Sequence, residues 1–190
     1  MAGSGCATLQ QFAALRQVDF RLASVGGGRL AGVDVSRVRS YSDLSGTDLG
    51  RLALAAARRE MPLEFTVNIE GLNPAENKVT ARMVRLQWVL LLQDKETISG
   101  VIDQPIAFPP GRPAIIPMTM QLDLFKFFSG SARDLVNIAL DAAGPGAQGT
   151  RVSLRAVPTI DTPLGRISYP NPITIVSRTF GGAQGAGLRD

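Results

Sequence analysis

Apolar and polar side chains alternate along the middle of the chain, through residues 63–69, 79–92 and 97–102. A period of two is typical of a strand with one buried face. The alternation is interrupted at Asn73–Pro74, because proline cannot donate a hydrogen bond to a strand ladder. These segments predict three strands of one antiparallel sheet, and we expect the single tryptophan, Trp88, to lie in the core.

The same alternation predicts strands on both sides of this region. Residues 18–22 and 30–41 have the pattern of two strands, separated by a predicted hairpin loop at the glycines 26–28. Within the middle region, the apolar parity changes between Met83 and Val84, which predicts a bulge or a strong bend. Three later strands are predicted at residues 116–124, 152–156 and 167–176.

Two segments carry the apolar stripe and the end signals of amphipathic helices. The first, Thr47–Glu60, can be capped by Ser45 or by Thr47 itself. The second begins at Ser131–Asp134, which resembles a capping box, and ends at Gly144–Pro145. We therefore expect two helices among the strands.

Together these elements predict a mainly β protein. The expected fold is an antiparallel β-sandwich of the fibronectin or immunoglobulin-like kind, with about 7 or 8 strands and one or two accessory helices. We expect an N-terminal tether or linker at residues 1–16, a single sandwich domain at 17–180 and a disordered tail at 181–190. No apolar run is long enough to span a bilayer, so the sequence as given predicts a soluble chain.

The chain contains no histidine and one cysteine, which narrows its chemistry. Without histidine there is no Ser-His-Asp triad, Cys-His dyad or histidine metal site, and one cysteine cannot form an intrachain disulfide. No Ser-x-x-Lys motif is present either. We therefore expect no enzyme, no metal and no cofactor, and leave only a carboxylate-only site as a catalytic alternative.

The formal net charge is +4, from 17 arginines and 3 lysines that are spread along the chain. A basic chain can bind nucleic acid or an anionic membrane surface. The sequence has neither the aromatic run of an RNA-binding motif nor zinc-finger spacing. We therefore expect no specific nucleic-acid partner.

Cys6 follows the small residues Gly3–Gly5, the order found at the end of a bacterial lipoprotein signal, although the apolar segment of such a signal is missing. Two interpretations stay open. Cys6 is either the lipidated N-terminus of a protein anchored on the periplasmic side of the cell envelope, or an incidental thiol of a soluble cytoplasmic protein. Firm anchoring would need several acyl chains, because one chain binds membranes only weakly.

Two segments are candidates for contact with a partner surface. Residues 124–128 form the most apolar loop candidate, which can either pack on the end of the sandwich or touch lipid or protein. Three arginines of the first predicted helix form either a solvated face or an attraction for anionic surfaces. The candidate contact residues are Phe125, Phe127, Phe128, Arg51, Arg58 and Arg59.

The order of features from the middle of the chain onward resembles a known family. A strand leads to the Asn73–Pro74 turn, a long strand with Trp88, a charged turn and a short strand with Ser99–Gly100. A Thr162–Gly165 turn and a last strand with Ile-Ser-Tyr-Pro complete the pattern. Over residues 17–180 the chain resembles the late embryogenesis abundant group 2 family, the water-stress and hypersensitive-response domain. The family's Asn-Pro-Asn turn is Asn-Pro-Ala here.

The resemblance implies a compact, non-catalytic stress-response protein, linked to desiccation, and provides no catalytic or ligand residues to carry over. Such a protein would act by contact with membrane surfaces or unfolding client proteins. The alternative is an envelope lipoprotein that serves as a structural, adaptor or lipid-binding module. A large apolar cavity between the sheets would favour this alternative, and a tightly filled core would oppose it. A hydrolytic enzyme is the third hypothesis and requires carboxylates that converge in a cleft.

Overall fold

The structure is a computed structural model, which describes residue 10 and residues 13–143, 151–162 and 165–179. These residues lie mainly in antiparallel sheets, which confirms the predicted β-sandwich class. The strands are β1 (Asp19–Leu30), β2 (Val33–Asp34), β3 (Pro62–Leu72), β4 (Ala81–Met83), β5 (Arg85–Leu92), β6 (Lys95–Ile102), β7 (Ile106–Phe108), β8 (Pro113–Asp123), β9 (Arg151–Thr162), β10 (Gly165–Ser168) and β11 (Ile173–Thr179). The helices are α1 (Gly46–Ala57), α2 (Leu124–Phe127) and α3 (Ala132–Ala143), with a 3-10 turn at Tyr41–Asp43.

Two antiparallel sheets form the two layers of the sandwich. One has the strand order β2-β1-β3-β8, and the other has the order β10-β9-β5-β6, with β11 also paired to β9. Their inner faces meet in one hydrophobic core, where Phe65 of β3, Leu90 of β5 and Met120 of β8 are each 1% exposed. The short strands β4 and β7 form a separate pair.

β3 extends from one end of the sandwich to the other. It pairs with β8 without a register shift, from Pro62 opposite Asp123 to Leu72 opposite Pro113. At about 3.3 Å per residue this strand is roughly 33 Å long. β8 is an edge strand of its sheet and contains Pro113 and Pro117, which suits an edge because proline has no N–H to donate to a further strand.

The three strands predicted for one sheet lie in two sheets, so this prediction is wrong. β3 pairs with β1 and β8, whereas β5 and β6 pair with each other in the opposite layer. The chain changes layers through the Asn73 loop and β4, and a bend at Val84 separates β4 from β5. The change of apolar parity after Met83 marks this crossing, and the predicted bend is confirmed.

The hairpin loop predicted at glycines 26–28 is also wrong. β1 continues through these glycines and pairs with β3 before and after them, with two register shifts, and the second predicted strand is reduced to β2. Gly27 has a φ of +66°, and a Cβ on Gly28 would lie 2.7 Å from the carbonyl oxygen of Ala143. The glycines therefore bend a continuous strand and allow α3 to pack closely on it.

α1 and α3 confirm the two predicted helices. The Ser45 hydroxyl caps α1 and accepts the backbone N–H of Asp48 at 3.2 Å. At α3, the backbone N–H of Ser131 donates to the Asp134 carboxylate at 2.8 Å, and the Ser131 hydroxyl accepts the N–H of Asp134 at 3.3 Å. This reciprocal pair is a capping box with aspartate in the third position.

Trp88 lies in the core, as expected from its alternating strand, and is 9% exposed. Its indole covers Gly100, the residue that faces it across the β5–β6 ladder. A Cβ on Gly100 would lie 2.4 Å from the indole ring. The tryptophan therefore fills the space that a side chain of β6 would otherwise occupy.

The segment that precedes β1 also contributes to the core. Residues 13–16 are helical, and the side chains of Ala14 and Leu15 are buried. The core therefore includes the end of the segment 1–16, which was predicted as a tether. The start of that segment and the predicted tail at 181–190 lie outside the described residues.

Candidate contact surface and groove

The aromatic segment predicted as a contact site lies at the end of the sandwich where β3 begins and β8 ends. β8 continues directly into α2, and Phe125, Phe127 and Phe128 are half-buried against the core. The Asp123 carboxylate caps this turn, because its Oδ1 accepts the backbone N–H of Phe125 at 3.1 Å and that of Met61 at 3.0 Å. One carboxylate therefore fixes the aromatic turn to the start of β3.

Two cations lie over phenylalanine rings of this turn. The guanidinium carbon of Arg59 is 5.7 Å from the centre of the Phe125 ring, and the Lys95 ammonium is 5.7 Å from the centre of the Phe128 ring. Lys95 also donates a hydrogen bond to the carbonyl oxygen of Phe127. Because Arg59 follows α1 and Lys95 begins β6, the two cations reach the aromatic turn from separate parts of the chain.

The end of α1 places its two arginines beside the aromatic turn. Arg58 is the C-cap residue, and Arg59 has a left-handed φ of 56°, so that the chain reverses before β3. A left-handed residue at a helix end lets the following N–H reach the last carbonyl groups, and here Glu60 donates to the carbonyl of Ala55 at 3.0 Å. A depression of about 520 Å³ lies beside this end, lined by Arg58, Arg59, Glu60, Pro62, Asp123, Phe125 and Lys126.

We call this surface the aromatic–cationic patch, defined as Arg58, Arg59, Lys95, Phe125, Lys126, Phe127 and Phe128. Half-buried rings and long cationic side chains can together contact a surface that is partly apolar and partly anionic. Glu60 and Asp123 line the same depression, so the patch carries charges of both signs. Its cations lie around aromatic rings that pack on the core.

Five of the six predicted contact residues meet in the patch. The sixth, Arg51, is exposed on α1 and precedes Arg58 by two helical turns, on the same face and about 10 Å away along the axis. Sequence reasoning missed Lys95, because its position depends on the two-residue turn that joins β5 to β6. Cys6 lies outside the described residues, and its lipidation stays a prediction.

A groove of about 480 Å³, which the sequence did not predict, lies at the opposite end of the sandwich. Pro62 lines the depression of the patch, whereas Leu72, at the other end of β3, pairs with Asp19 at the groove. The groove lies between the start of β1 and the segment that joins β10 to β11. Its apolar lining includes Leu15, Val18, Phe20 and Ile173.

Arg16 and Tyr169 come from the two walls of this groove. Burial raises the pKa of Tyr169 to about 12, and the positive charge of Arg16 acts on that pKa in the opposite direction. Among the described residues, no carboxylate forms an ion pair with Arg16.

Asn73, the asparagine of the Asn-Pro turn, fixes the wall of the groove that contains residues 13–16. Its side chain is fully buried, and its Nδ2 donates to the carbonyls of Val79 at 3.0 Å and Phe108 at 2.8 Å. Its Oδ1 accepts a hydrogen bond from Asn77 at 2.8 Å, and Asn77 also reaches the carbonyl of Ala14 at 3.4 Å. The amides of Asn73 and Asn77 together therefore join Val79 and the end of β7 to the segment that contains Ala14.

Two further features concern metals and membranes. In the described parts of the chain, no group of three or more His, Cys, Asp or Glu side chains is placed to hold a metal ion. The helices in those same parts are all too short or too polar to cross a membrane.

No protein-family model and no curated protein matches this chain. Among solved structures, a protein from Archaeoglobus fulgidus is 12% identical with a TM-score of 0.36, and the match covers 83% of this chain and 96% of that one. A protein assigned provisionally as a late embryogenesis abundant (LEA) protein is 12% identical with a TM-score of 0.40, over 94% of this chain and 79% of that one. An identity and TM-scores this low do not define a family.

Proposed function

We propose that this chain is a non-catalytic stress-response protein, similar to the late embryogenesis abundant group 2 family, that protects membrane surfaces or unfolding client proteins by direct contact. The observation that supports this proposal is the aromatic–cationic patch. Cations from the end of α1, from α2 and from the start of β6 surround three phenylalanines at one end of the sandwich. Membranes and partly unfolded proteins both present apolar groups beside charges, and the patch combines the same two properties.

The partial burial of the phenylalanines favours shallow and reversible contact over insertion. The rings pack on the core, and Asp123 holds the backbone of Phe125, so the rings cannot extend far from the surface. The arginine and lysine side chains can move without disturbing this packing, because their long stems are flexible. Contact of this kind would be weak for each molecule and would depend on salt.

A drying and freeze–thaw assay tests the protective role. The purified protein is mixed with a labile enzyme or with anionic liposomes, and retained activity or retained contents are compared with an equal mass of an inert globular protein. We expect protection well above that of the inert protein. The double variant Arg58→Gln/Arg59→Gln should lose most of the difference, because it keeps the rings and removes two cations of the patch.

The matched control is the double variant Arg82→Gln/Arg112→Gln, which removes the same charge from exposed positions outside the patch. It should protect as well as the unmodified protein. Equal protection by the unmodified protein and the inert protein would contradict the protective role. Equal losses in the two double variants would instead show that total charge, and not the patch, determines protection.

A second candidate function is that of an envelope module that binds lipid or a partner, and the groove between β1 and β11 favours it. The groove combines an apolar lining with an arginine at its rim, a combination suited to a small amphipathic ligand. In this proposal Cys6 would anchor the protein to the membrane. Mass spectrometry of the protein recovered from its native source tests the anchor, since an unmodified Cys6 in the soluble fraction would contradict it.

A further inference from the structure

The groove at the Leu72 end of the sandwich is lined by one positive and one negative side chain. Arg16 and Asp19 are its charged lining residues, and Arg16 has no carboxylate partner among the described residues. Arg16 and Tyr169 both line the groove, so the guanidinium and the phenol belong to the same site. A cation in this position can bind an anionic group without first breaking an ion pair.

The apolar part of the groove is held in position by the core. Phe20 lines the groove and packs edge to face on Phe108, with ring centres 5.5 Å apart. Leu15 and Val18 are buried in the same core. A lining that is fixed before the ligand arrives loses little conformational freedom on binding, which favours affinity.

We propose that this groove binds a free single-chain fatty acid, whose carboxylate pairs with Arg16 and whose alkyl chain lies along Leu15, Val18, Phe20 and Ile173. The proposal gives the second candidate function a ligand class and rests on it, but it does not depend on the protective role. The patch and the groove lie at opposite ends of β3.

Two features favour an alkyl chain over an extended peptide. The groove includes Pro158, Pro170 and Pro172, and prolines lack the N–H groups by which a peptide adds to a strand edge. The volume of about 480 Å³ falls within the range of about 300–1,000 Å³ that is usual for small-molecule sites. One acyl chain therefore suits the groove better than a peptide segment or a two-chain lipid.

Isothermal titration with dodecanoate and with dodecanol, both below their micellar concentrations, tests the proposal on the whole chain. We expect saturable binding of one dodecanoate per protein. Decanoate should bind more weakly than dodecanoate, and tetradecanoate should bind more tightly. Each methylene that the groove buries should change the affinity by about fourfold. Dodecanol lacks the charge and should bind more weakly than dodecanoate.

Two charge variants give opposite expectations at the rim. Arg16→Gln should weaken dodecanoate binding by about tenfold or more, because a charge-assisted contact is lost. Asp19→Asn should tighten dodecanoate binding, because it removes a negative charge near the carboxylate. Neither variant should change dodecanol binding, and Arg82→Gln, outside the groove, should change neither ligand.

A filling variant, Thr174→Trp, locates the alkyl chain, since Thr174 lines the groove and is exposed. It should weaken the binding of dodecanoate and of dodecanol alike, and its unfolding midpoint shows whether it folds.

Failure of dodecanoate to bind, or equal binding of dodecanoate by Arg16→Gln and the unmodified protein, would overturn the proposal. Binding of dodecanol or of lipid vesicles without dodecanoate binding would overturn the ligand class and leave a lipid-binding module. Loss of protection in the drying assay would contradict only the protective role of the patch and would leave the fatty-acid proposal unaffected.

Discussion

The two ends of the sandwich are each held by one polar side chain that joins distant segments, but the two side chains are not equivalent. At the groove end, Asn73 is fully buried and its amide is bonded on both its nitrogen and its oxygen. At the patch end, Asp123 is half-exposed and accepts two backbone N–H groups. Water can reach the side chain of Asp123, which is partly exposed, and cannot reach that of Asn73, which is fully buried. We therefore expect the groove end to be the more rigid of the two. A single substitution at its polar side chain should also lower the free energy of unfolding more.

The largest expected effect is that of Asn73→Ala. The substitution leaves the buried carbonyl of Phe108 and the half-buried carbonyl of Val79 without their donor, which should lower the free energy of unfolding by about 3 kcal/mol. Urea unfolding measures the change. Asn171→Ala, the same substitution at an exposed position, should change the free energy by less than about 0.5 kcal/mol. Equal effects of the two variants would mean that Asn73 does not hold the groove end.

At the patch end, Asp123→Ala should cost less, about 1.5 kcal/mol, because Asp123 is partly exposed and water can enter the space that its carboxylate leaves. Asp123→Asn keeps an oxygen that can accept the same bonds and should recover most of the loss. The same urea experiment measures both variants. A cost of Asp123→Ala larger than that of Asn73→Ala would reverse the comparison.

The two ends should also differ in their response to alkali. Burial raises the pKa of Tyr169 to about 12 from its ordinary value of 10.0, so the neutral phenol is favoured in the folded protein. The resulting contribution to stability is fully present below pH 10 and is lost as the pH rises toward 12. We expect an absorbance titration to show one tyrosine with a midpoint near 12, which disappears in Tyr169→Phe. Survival of that midpoint in the variant would assign it to another group.

Acid should act at α3, which follows the aromatic turn, and this is the smallest effect. Hydrogen bonds from the Ser131 hydroxyl and backbone N–H lower the pKa of Asp134 from its ordinary value of 3.8. This contribution to stability is present above pH 3.8 and is lost as the pH falls through the lower, folded-state pKa. Asp134→Asn should therefore flatten the dependence of stability on pH below about 4. An unchanged acid limb in the variant would show that other carboxylates dominate it.

The sequence predicted those elements whose signals are local. Period-two alternation located β3 and β8, and the serine caps at Ser45 and Ser131 located α1 and α3. The layer of each strand was not predictable in the same way, because alternation identifies a buried face without specifying the sheet that contributes it. The glycines 26–28 were misinterpreted since glycine permits both a loop and a bent strand.

The same distinction applies to the candidate sites: residues within one segment could be predicted, and contacts between distant segments could not. The phenylalanines of α2 and the arginines of α1 could be named from the sequence, because each segment has a composition of its own. That Arg59 lies over Phe125 depends on how β3 pairs with β8, which is a long-range property. The groove was missed because it joins residues near 15–20 to residues near 158–174, and no local pattern connects them.

The two prolines of β8 have a consequence for solutions in which the protein becomes concentrated. β8 is the edge of its sheet, and an exposed edge strand is a template on which a second molecule can polymerise. Pro113 and Pro117 deprive this template of two N–H groups, spaced four residues apart. Pairing of a second molecule along this edge should therefore be disfavoured when the protein becomes concentrated.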